Sequence, residues 1–240
     1  MANNYFQFKQ FTIQQQHCAM KVCTDSCLFG SVLPTHSNNH KITSVLDVGT
    51  GTGLLSLMYA QRNPAATITA LEIDTAAAVQ ATENLTSTTF THNITIINDD
   101  YTNWEAANNY ELIICNPPFY ENQLLSTNNS KNTAHHSTQL TLQQLLTKSA
   151  TLLSVNSSIV ILLPTSKHSE VVQHCAALHL SIYEVKKIYQ NNTKPCWRVV
   201  YVLTNGVVKN VAESDLFVYN ETGMYSQQFV QLLQPYYLHL

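Results

Sequence analysis

The chain has 240 residues, with 12 Lys and Arg against 15 Asp and Glu, and its formal net charge is −3. Only 11% of the residues are charged, whereas soluble domains usually carry about a quarter. This balance excludes disorder driven by charge repulsion and argues against bulk binding of nucleic acid through a broad basic face, although it leaves room for a local basic patch. At this length we expect one large domain, or one domain with a small appendage.

The sequence contains no signal for export, membrane insertion or metal binding. No cationic start precedes an apolar run, and no run approaches the roughly 20 apolar residues that span a bilayer. We therefore expect a cytoplasmic protein with reduced cysteines. Cys18, Cys23 and Cys27 lie close together but lack the Cys-x-x-Cys spacing of zinc sites, so we predict no metal.

From residue 44 onwards, short β-branched runs alternate with longer helical stretches, which predicts a mostly parallel sheet with helices on both faces. The predicted strands cover 44–48, 67–71, 94–97, 112–115 and 158–163. The predicted helices cover 54–61, 75–85, 140–153 and 168–178. Two closely joined strands, 182–185 and 199–203, predict an antiparallel pair at one edge.

Two segments lie outside this predicted core. Residues 6–13 alternate apolar and polar positions, and a short helix is expected to begin near Thr24 and Asp25. Residues 121–138 are polar and predict a long mobile loop beside a ligand site. We divide a single domain into an N-terminal cap at 1–40, a core at 41–205, and a C-terminal strand and helix at 206–240.

A glycine-rich turn joins the first core strand to the first core helix. It begins with Asp47 and contains Gly49, Gly51 and Gly53. The dinucleotide fingerprint requires a further glycine where this chain has Leu54, so NAD is disfavoured. An acidic residue at the start of the turn suits the amino group of a cationic, zwitterionic ligand, which favours S-adenosylmethionine.

Carboxylates follow the next two strands. Glu72 lies 19 positions after Gly53 and can accept hydrogen bonds from both ribose hydroxyls of that ligand. Asp74 is better explained as the cap of the following helix. Asp99 or Asp100 can accept from the adenine amino group; we favour Asp100, and either could instead begin a turn.

The sequence Asn-Pro-Pro-Phe at 116–119 ends the fourth core strand. The Asn116 side-chain oxygen and the Pro117 carbonyl can each accept a hydrogen bond from one N–H of an exocyclic adenine amino group. The lone pair of the amino nitrogen is then drawn out of conjugation with the adenine ring and directed at the methyl group of a sulfonium. Pro118 stiffens the segment, and Phe119 can stack on a flipped base.

These motifs resemble the class I S-adenosylmethionine-dependent methyltransferases, and Asn-Pro-Pro-Phe resembles their amino-group branch. The flanking segments 6–12, 19–22, 24–25 and 28–30, with Lys194, Pro195 and Arg198, resemble the bacterial family that N6-methylates the adenosine 3′ of the anticodon in valine tRNA. The resemblance implies a Rossmann-like fold and the cofactor-binding residues Lys21, Thr24, Asp25, Asp47, Gly49, Thr50, Gly51, Gly53, Glu72, Ile73, Asp99 and Asp100.

For tRNA, the candidate contacts are Tyr120, His135, His136, Lys186, Lys187, Lys194 and Arg198. The family usually has an arginine in the loop after the catalytic motif, whereas this chain has Ala134-His135-His136. The four cations form the densest basic group of the sequence and could also be a solvated edge. Trp197 is expected in the core.

Three other functions remain open. The enzyme could methylate another RNA or DNA, or a glutamine side chain of a release factor, which also presents two amide N–H groups. The chain could also be a non-catalytic RNA-binding protein that keeps the fold. We expect a monomer.

Overall fold

An eight-stranded mixed sheet organises the chain, whose computed structural model describes residues 3–37, 40–89, 92–117 and 140–240. The predictions for Pro118, Phe119, Tyr120, His135, His136 and the loop at 121–138 lie outside the described residues.

The strands and helices follow the predicted order. The strands are β1 (Tyr5–Gln7), β2 (Thr12–Gln14), β3 (His36–Ser37), β4 (His40–Lys41), β5 (Ser44–Val48), β6 (Thr67–Glu72), β7 (Ile94–Asn98), β8 (Tyr110–Cys115), β9 (Leu153–Pro164), β10 (Ser181–Tyr189), β11 (Cys196–Thr204) and β12 (Ala212–Phe217). The helices are α1 (Thr24–Val32), α2 (Leu54–Arg62), α3 (Thr75–Thr86), α4 (Leu142–Leu152), α5 (His168–Ala177) and α6 (Gln227–Leu233). None of these helices is long and apolar enough to cross a bilayer.

The large sheet has the strand order β12-β10-β11-β9-β8-β5-β6-β7. Only β11 runs against its neighbours, β9 and β10, while β12 is parallel to β10. The predicted mostly parallel sheet and the antiparallel pair near one edge are confirmed. β12, which falls in the C-terminal segment where a strand is expected, lies beyond that pair and forms the edge itself.

Helices cover both faces of the sheet because its central strands are apolar on both sides. Leu112 and Ile114 of β8 pack into one buried cluster with residues of α1, α2 and α6. Ile113 and Cys115 of the same strand pack into the opposite cluster with residues of α4 and α5. The alternation of side chains along each strand therefore builds a three-layered α/β/α core.

The two ends of the chain pack against the same face of the sheet. β1 and β2 form an antiparallel hairpin, and the Lys9 N–H donates to the Tyr236 carbonyl over 2.7 Å. Phe8 and Tyr236 are both buried in the cluster that also contains Leu112. The expected cap and C-terminal segment thus share a core with the central sheet, and their division into separate units remains a prediction.

Local hydrogen bonds explain where several helices begin. Asp74 caps α3, as predicted, by accepting from the Ala77 N–H over 2.9 Å. α1 begins at Thr24, as predicted, and Cys23 occupies the N-cap position. Ser26 Oγ accepts from the Cys23 N–H over 3.2 Å and donates to the Cys23 carbonyl over 2.8 Å.

Candidate active site

The glycine turn and Asn116 follow two neighbouring strands, β5 and β8. This is the point at which the order of the parallel strands changes direction across the sheet. β5 lies between β6 and β8, and Val48 is in register with Leu71 on one side and Cys115 on the other. The turn that follows Val48 and the segment that follows Cys115 therefore leave the sheet side by side. Open α/β sheets bind ligands at this topological switch point.

The glycine turn faces open space at its first two glycines. Gly49, Gly51 and Gly53 have φ values of +70°, +57° and +80°, which side chains with a Cβ rarely adopt. A Cβ placed at Gly49 or Gly51 would meet no atom within 4 Å, whereas one at Gly53 would lie 3.2 Å from Leu85 Cδ1. The first two glycines thus allow a ligand to approach the backbone, and the third allows α3 to pack.

Asp47 is buried beneath this turn with one oxygen satisfied and one unpaired. Its Oδ2 accepts from the hydroxyls of Thr50 and Ser56, each over 2.7 Å, and Oδ1 is buried with no partner among the described residues. Burial raises the pKa of Asp47 to about 6, against the lowering effect of the two hydroxyls. An unpaired buried carboxylate oxygen is costly unless a ligand completes it.

Glu72 holds the turn from the neighbouring strand. Its Oε2 accepts from the Gly51 N–H over 2.8 Å, and its Oε1 accepts from the Asp74 N–H over 2.9 Å. Each oxygen keeps a second lone pair for a ligand hydroxyl. The predicted contact with ribose is thus compatible with a structural role that the sequence did not reveal. Ile73 beside it is 50% exposed and offers an apolar surface at the site.

The two aspartates after β7 differ in their partners. Asp100 accepts from the backbone N–H and hydroxyl of Thr102 and from Asn103 Nδ2, so its carboxylate holds the turn that follows. Asp99 is exposed, and its Oδ1 accepts from the Asp100 N–H over 2.7 Å. The turn-forming alternative accounts for Asp100, and the assignment of either residue to adenine remains a prediction.

Asn116 and Pro117 lie at the end of β8, beside the turn. Asn116 is half-buried and Pro117 is buried. Pro117 lacks an N–H and cannot continue the β8 ladder, so the chain leaves the sheet at this point. Directly before them, Cys115 is packed in the core; burial raises the pKa of its thiol well above the usual range, and the charges of Asp47 and Glu72 add to this effect.

Sequence reasoning missed Asn84 of α3, which is fully buried. Asn84 Oδ1 accepts from the Gln14 N–H over 2.8 Å, and Asn84 Nδ2 donates to the carbonyls of Gln14 and Thr52, each over 2.9 Å. The residue joins the N-terminal hairpin to the glycine turn. In the sequence, Asn84 could be noticed only as a polar residue at a helix position where an apolar one is expected.

The residues expected over the methionine end of the cofactor lie at the start of α1. Lys21 is exposed and Thr24 is half-buried. Asp25 Oδ2 accepts from Arg198 Nε over 3.2 Å. The structure thus pairs a predicted cofactor residue with a predicted tRNA contact, which the sequence had treated separately.

Three of the four candidate cations have carboxylate partners, and their contact with tRNA remains a prediction. Lys186 pairs with Glu184, and Lys187 pairs with Glu213 over 2.7 Å. Lys186 and Lys187 are successive residues of β10, so their side chains leave opposite faces of the sheet. Among the described residues, Lys194 is the one member of the four without a carboxylate partner.

Trp197 is not in the core, contrary to the prediction, because its side chain is 41% exposed. The register of β10 and β11 shifts between Ile188 and Tyr189: Ile188 pairs with Arg198, and Tyr189 pairs with Cys196. Trp197 is the extra residue of this bulge. Bulges re-aim side chains and are frequent beside active sites.

No group of three or more His, Cys, Asp or Glu side chains within 3–37, 40–89, 92–117 and 140–240 could hold a metal ion.

Comparison with known proteins identifies the family. Residues 15–187 match the methyltransferase small domain. A tRNA1(Val) (adenine(37)-N6)-methyltransferase of Dyadobacter fermentans is 36% identical, with 98% of each chain covered. Proteins of the same name from Bacteroides thetaiotaomicron and Photobacterium profundum are 35% and 31% identical, over 100% and 98% of each chain. The chain belongs to this methyltransferase family.

Solved structures of other methyltransferases share the fold. A predicted O-methyltransferase from Agrobacterium tumefaciens aligns with a TM-score of 0.68 at 14% identity, covering 88% of this chain and 95% of that one. A glycopeptide N-methyltransferase in complex with S-adenosyl-L-methionine aligns with a TM-score of 0.55 at 11% identity, covering 78% and 87%. Family and fold confirm the predicted class, an S-adenosylmethionine-dependent methyltransferase.

The residues of this methyltransferase suit its cofactor. The unpaired Oδ1 of Asp47 provides a buried acceptor, and the open side of Gly49 and Gly51 admits a ligand to the backbone. Glu72 adds acceptor capacity at the adjacent strand end. The two carboxylates beside the open glycine turn fit a cationic nucleoside better than a pyrophosphate, because they would repel the negative charge of the pyrophosphate.

Proposed function

We propose that this methyltransferase transfers a methyl group to N6 of the adenosine at position 37 of valine tRNA. The observation that carries the proposal is the placement of Asn116 beside the glycine turn, in a chain whose full-length relatives share one name. S-adenosylmethionine supplies an electrophilic methyl group when bound.

The contribution of the chain is to orient the amino group of the target base. Asn116 Oδ1 and the Pro117 carbonyl oxygen each accept a hydrogen bond from one of its two N–H groups, so that the nitrogen lone pair leaves conjugation with the ring. The N–C bond forms as the methyl–sulfur bond breaks, and the amine proton then passes to solvent. Proximity and alignment supply most of the rate enhancement, and no strong base is required.

The proposal includes the remaining untested assignments. Asp47, Glu72 and the glycine turn hold the cofactor, and the segment containing Pro118, Phe119 and Tyr120 receives the base. We propose that the enzyme acts in the cytoplasm, as suits a tRNA substrate, and that it acts as a monomer. The acidic net charge is compatible with this substrate because recognition of a flipped base depends on shape and stacking more than on a broad basic field.

The test is methylation of an unmodified valine tRNA transcript by the purified protein with labelled S-adenosylmethionine. Nuclease digestion and mass spectrometry should recover N6-methyladenosine at position 37. A transcript with guanosine at that position is the matched control and should take up no label.

Three outcomes would contradict the proposal and indicate the alternatives. Label in DNA or in another RNA would change the substrate, and label in a release-factor glutamine would change the substrate class. Failure of S-adenosylmethionine to bind in calorimetry would favour a non-catalytic RNA-binding protein.

A further inference from the structure

Three aromatic side chains lie at the ends of neighbouring strands, on the same edge of the sheet as the active site. Tyr189 ends β10, Phe217 ends β12, and Trp197 lies near the start of the reversed strand β11. We propose that these residues, the aromatic edge, form a stacking surface for unpaired RNA bases that flank the methylated adenosine. This inference rests on the proposed function.

The aromatic edge is ordered by its own contacts. Tyr189 and Phe217 are register partners, and their rings stack with centroids 5.1 Å apart and an interplanar angle of 23°. Both side chains are partly exposed. Trp197 follows Cys196, the register partner of Tyr189, and is exposed at the bulge. The three aromatic residues therefore lie at the ends of three neighbouring strands.

The aromatic edge lies beside the catalytic segment rather than within it. Arg198 is in register with Pro164, and Ile161 is in register with Cys115, the residue before Asn116. Because strands are about 4.8 Å apart and rise about 3.3 Å per residue, Arg198 lies about 10 Å across the sheet and about 7 Å further along it than Asn116. This span suits a neighbour of the flipped base and is too long for the flipped base itself.

Charges of both signs lie near the aromatic edge: Glu221 accepts from Asn192 Nδ2 in the turn between β10 and β11, and Asp215 lies near Tyr189. Lys194 is exposed in the turn between β10 and β11 and has no carboxylate partner among the described residues. Asp25 neutralises Arg198, so Lys194 is the cation left to contact a phosphate. Proteins that bind single-stranded nucleic acid combine aromatic stacking with such cations.

The test compares three single substitutions. Removing a stacked base contact by W197A should raise the KM for tRNA about tenfold, in the range seen for aromatic stacking residues. W197F retains a stacking face and should raise it about twofold. The kcat at saturating tRNA and the affinity for S-adenosylmethionine should not change. Y183A is the matched control, since Tyr183 is 53% exposed near the opposite end of β10, and it should behave as wild type.

Fluorescence provides a readout that does not depend on activity. The chain contains two tryptophans, so W104F leaves Trp197 as the single tryptophan, and tRNA should quench its emission as a base stacks on it. An unchanged KM in W197A together with unquenched emission would overturn the inference, whatever the activity of the wild type. If RNA quenches Trp197 but the wild type methylates no tRNA, the proposed function fails and the stacking surface stands.

Discussion

Arg198 and Asp25, which are 173 positions apart in the sequence, form an ion pair in which Nε lies 3.2 Å from Oδ2. The pair joins β11 to the first turn of α1. Asp25 also accepts from the Ser26 N–H through Oδ1 over 3.1 Å, so both of its oxygens have partners. Arg198 thus fixes the start of the helix that borders the proposed cofactor site.

We expect R198A and D25A each to lower the free energy of unfolding by about 0.5–1 kcal/mol, as for other partly exposed pairs. The double variant should lose little more than either single variant, because the second substitution removes a side chain whose partner is already absent. Urea denaturation of the four proteins measures this coupling. Additive losses would show that the pair contributes nothing to stability.

Replacement of Asn116 should separate chemistry from cofactor binding. N116A is expected to lower kcat by about 100-fold or more, as does loss of one preorganised transition-state hydrogen bond elsewhere. The affinity for S-adenosylmethionine, measured by calorimetry, should stay within about twofold of wild type. N109A, an exposed asparagine just before β8 begins, is the control. A parallel loss of cofactor affinity in N116A would mean that Asn116 belongs to the cofactor site.

The buried Asp47 predicts an unusual dependence of stability on pH. Its pKa is raised from 3.8 to about 6 in the folded protein, mainly by burial. Between these two pH values the folded state keeps a proton that the unfolded state has lost. The free energy of unfolding should therefore fall by about 3 kcal/mol as the pH rises from about 4 to about 6 without cofactor.

The variant D47N should lack this component of the pH dependence and should bind S-adenosylmethionine more weakly. Urea denaturation at several pH values, with and without cofactor, separates the two effects. If the wild type and D47N show the same slope between pH 4 and 6, folding does not shift the pKa of Asp47.

Asn84 should be needed for both stability and cofactor binding. N84A removes three hydrogen bonds of a buried side chain, two to Gln14 and one to Thr52, and should cost about 2–4 kcal/mol of unfolding free energy. The Kd for S-adenosylmethionine should rise because the glycine turn loses its support. N93A is the matched control, since the half-buried Asn93 side chain makes one bond, to the Pro64 carbonyl. An unchanged Kd in a folded N84A protein would limit the residue to a structural role.

The salt dependence of tRNA binding should distinguish Lys194 from Lys187. K194A is expected to reduce the slope of log K against log salt by about 1, since one phosphate contact is lost. K187A should change it less, because Glu213 already neutralises Lys187; this contact raises the pKa of the Lys187 ammonium and lowers that of Glu213. Equal effects of the two substitutions would mean that RNA displaces Glu213.

The sequence predicts the sheet and the glycine turn well because these features follow from local patterns. Continuous apolar runs such as 158–163 indicate strands covered on both faces, and helix caps such as Asp74 are readable from neighbouring residues. The motif at 116–119 and the glycine spacing also indicate the class of chemistry. Each of these patterns is contained in a short stretch of neighbouring residues, so it can be recognised without knowing the fold.

Features that depend on distant pairing were not predictable. The sequence places Lys186, Lys187, Lys194 and Arg198 near one another, but Glu213 and Asp25 come from other elements and neutralise two of them. Trp197 was assigned to the core because tryptophan is usually buried, and the bulge that exposes it is a mismatch between two strands. Asn84 is another such case, since its partners lie in β2 and in the glycine turn.

The pairing of Lys9 with Tyr236 has a consequence for biosynthesis. The β1–β2 hairpin completes its contacts only with residues near position 236, so it must wait until that part of the chain has left the ribosome. Contacts of such long sequence separation slow folding, because the loop between them must close before they form. Until then Phe8 and Phe229 are without their shared core, and the nascent chain exposes apolar surface to chaperones.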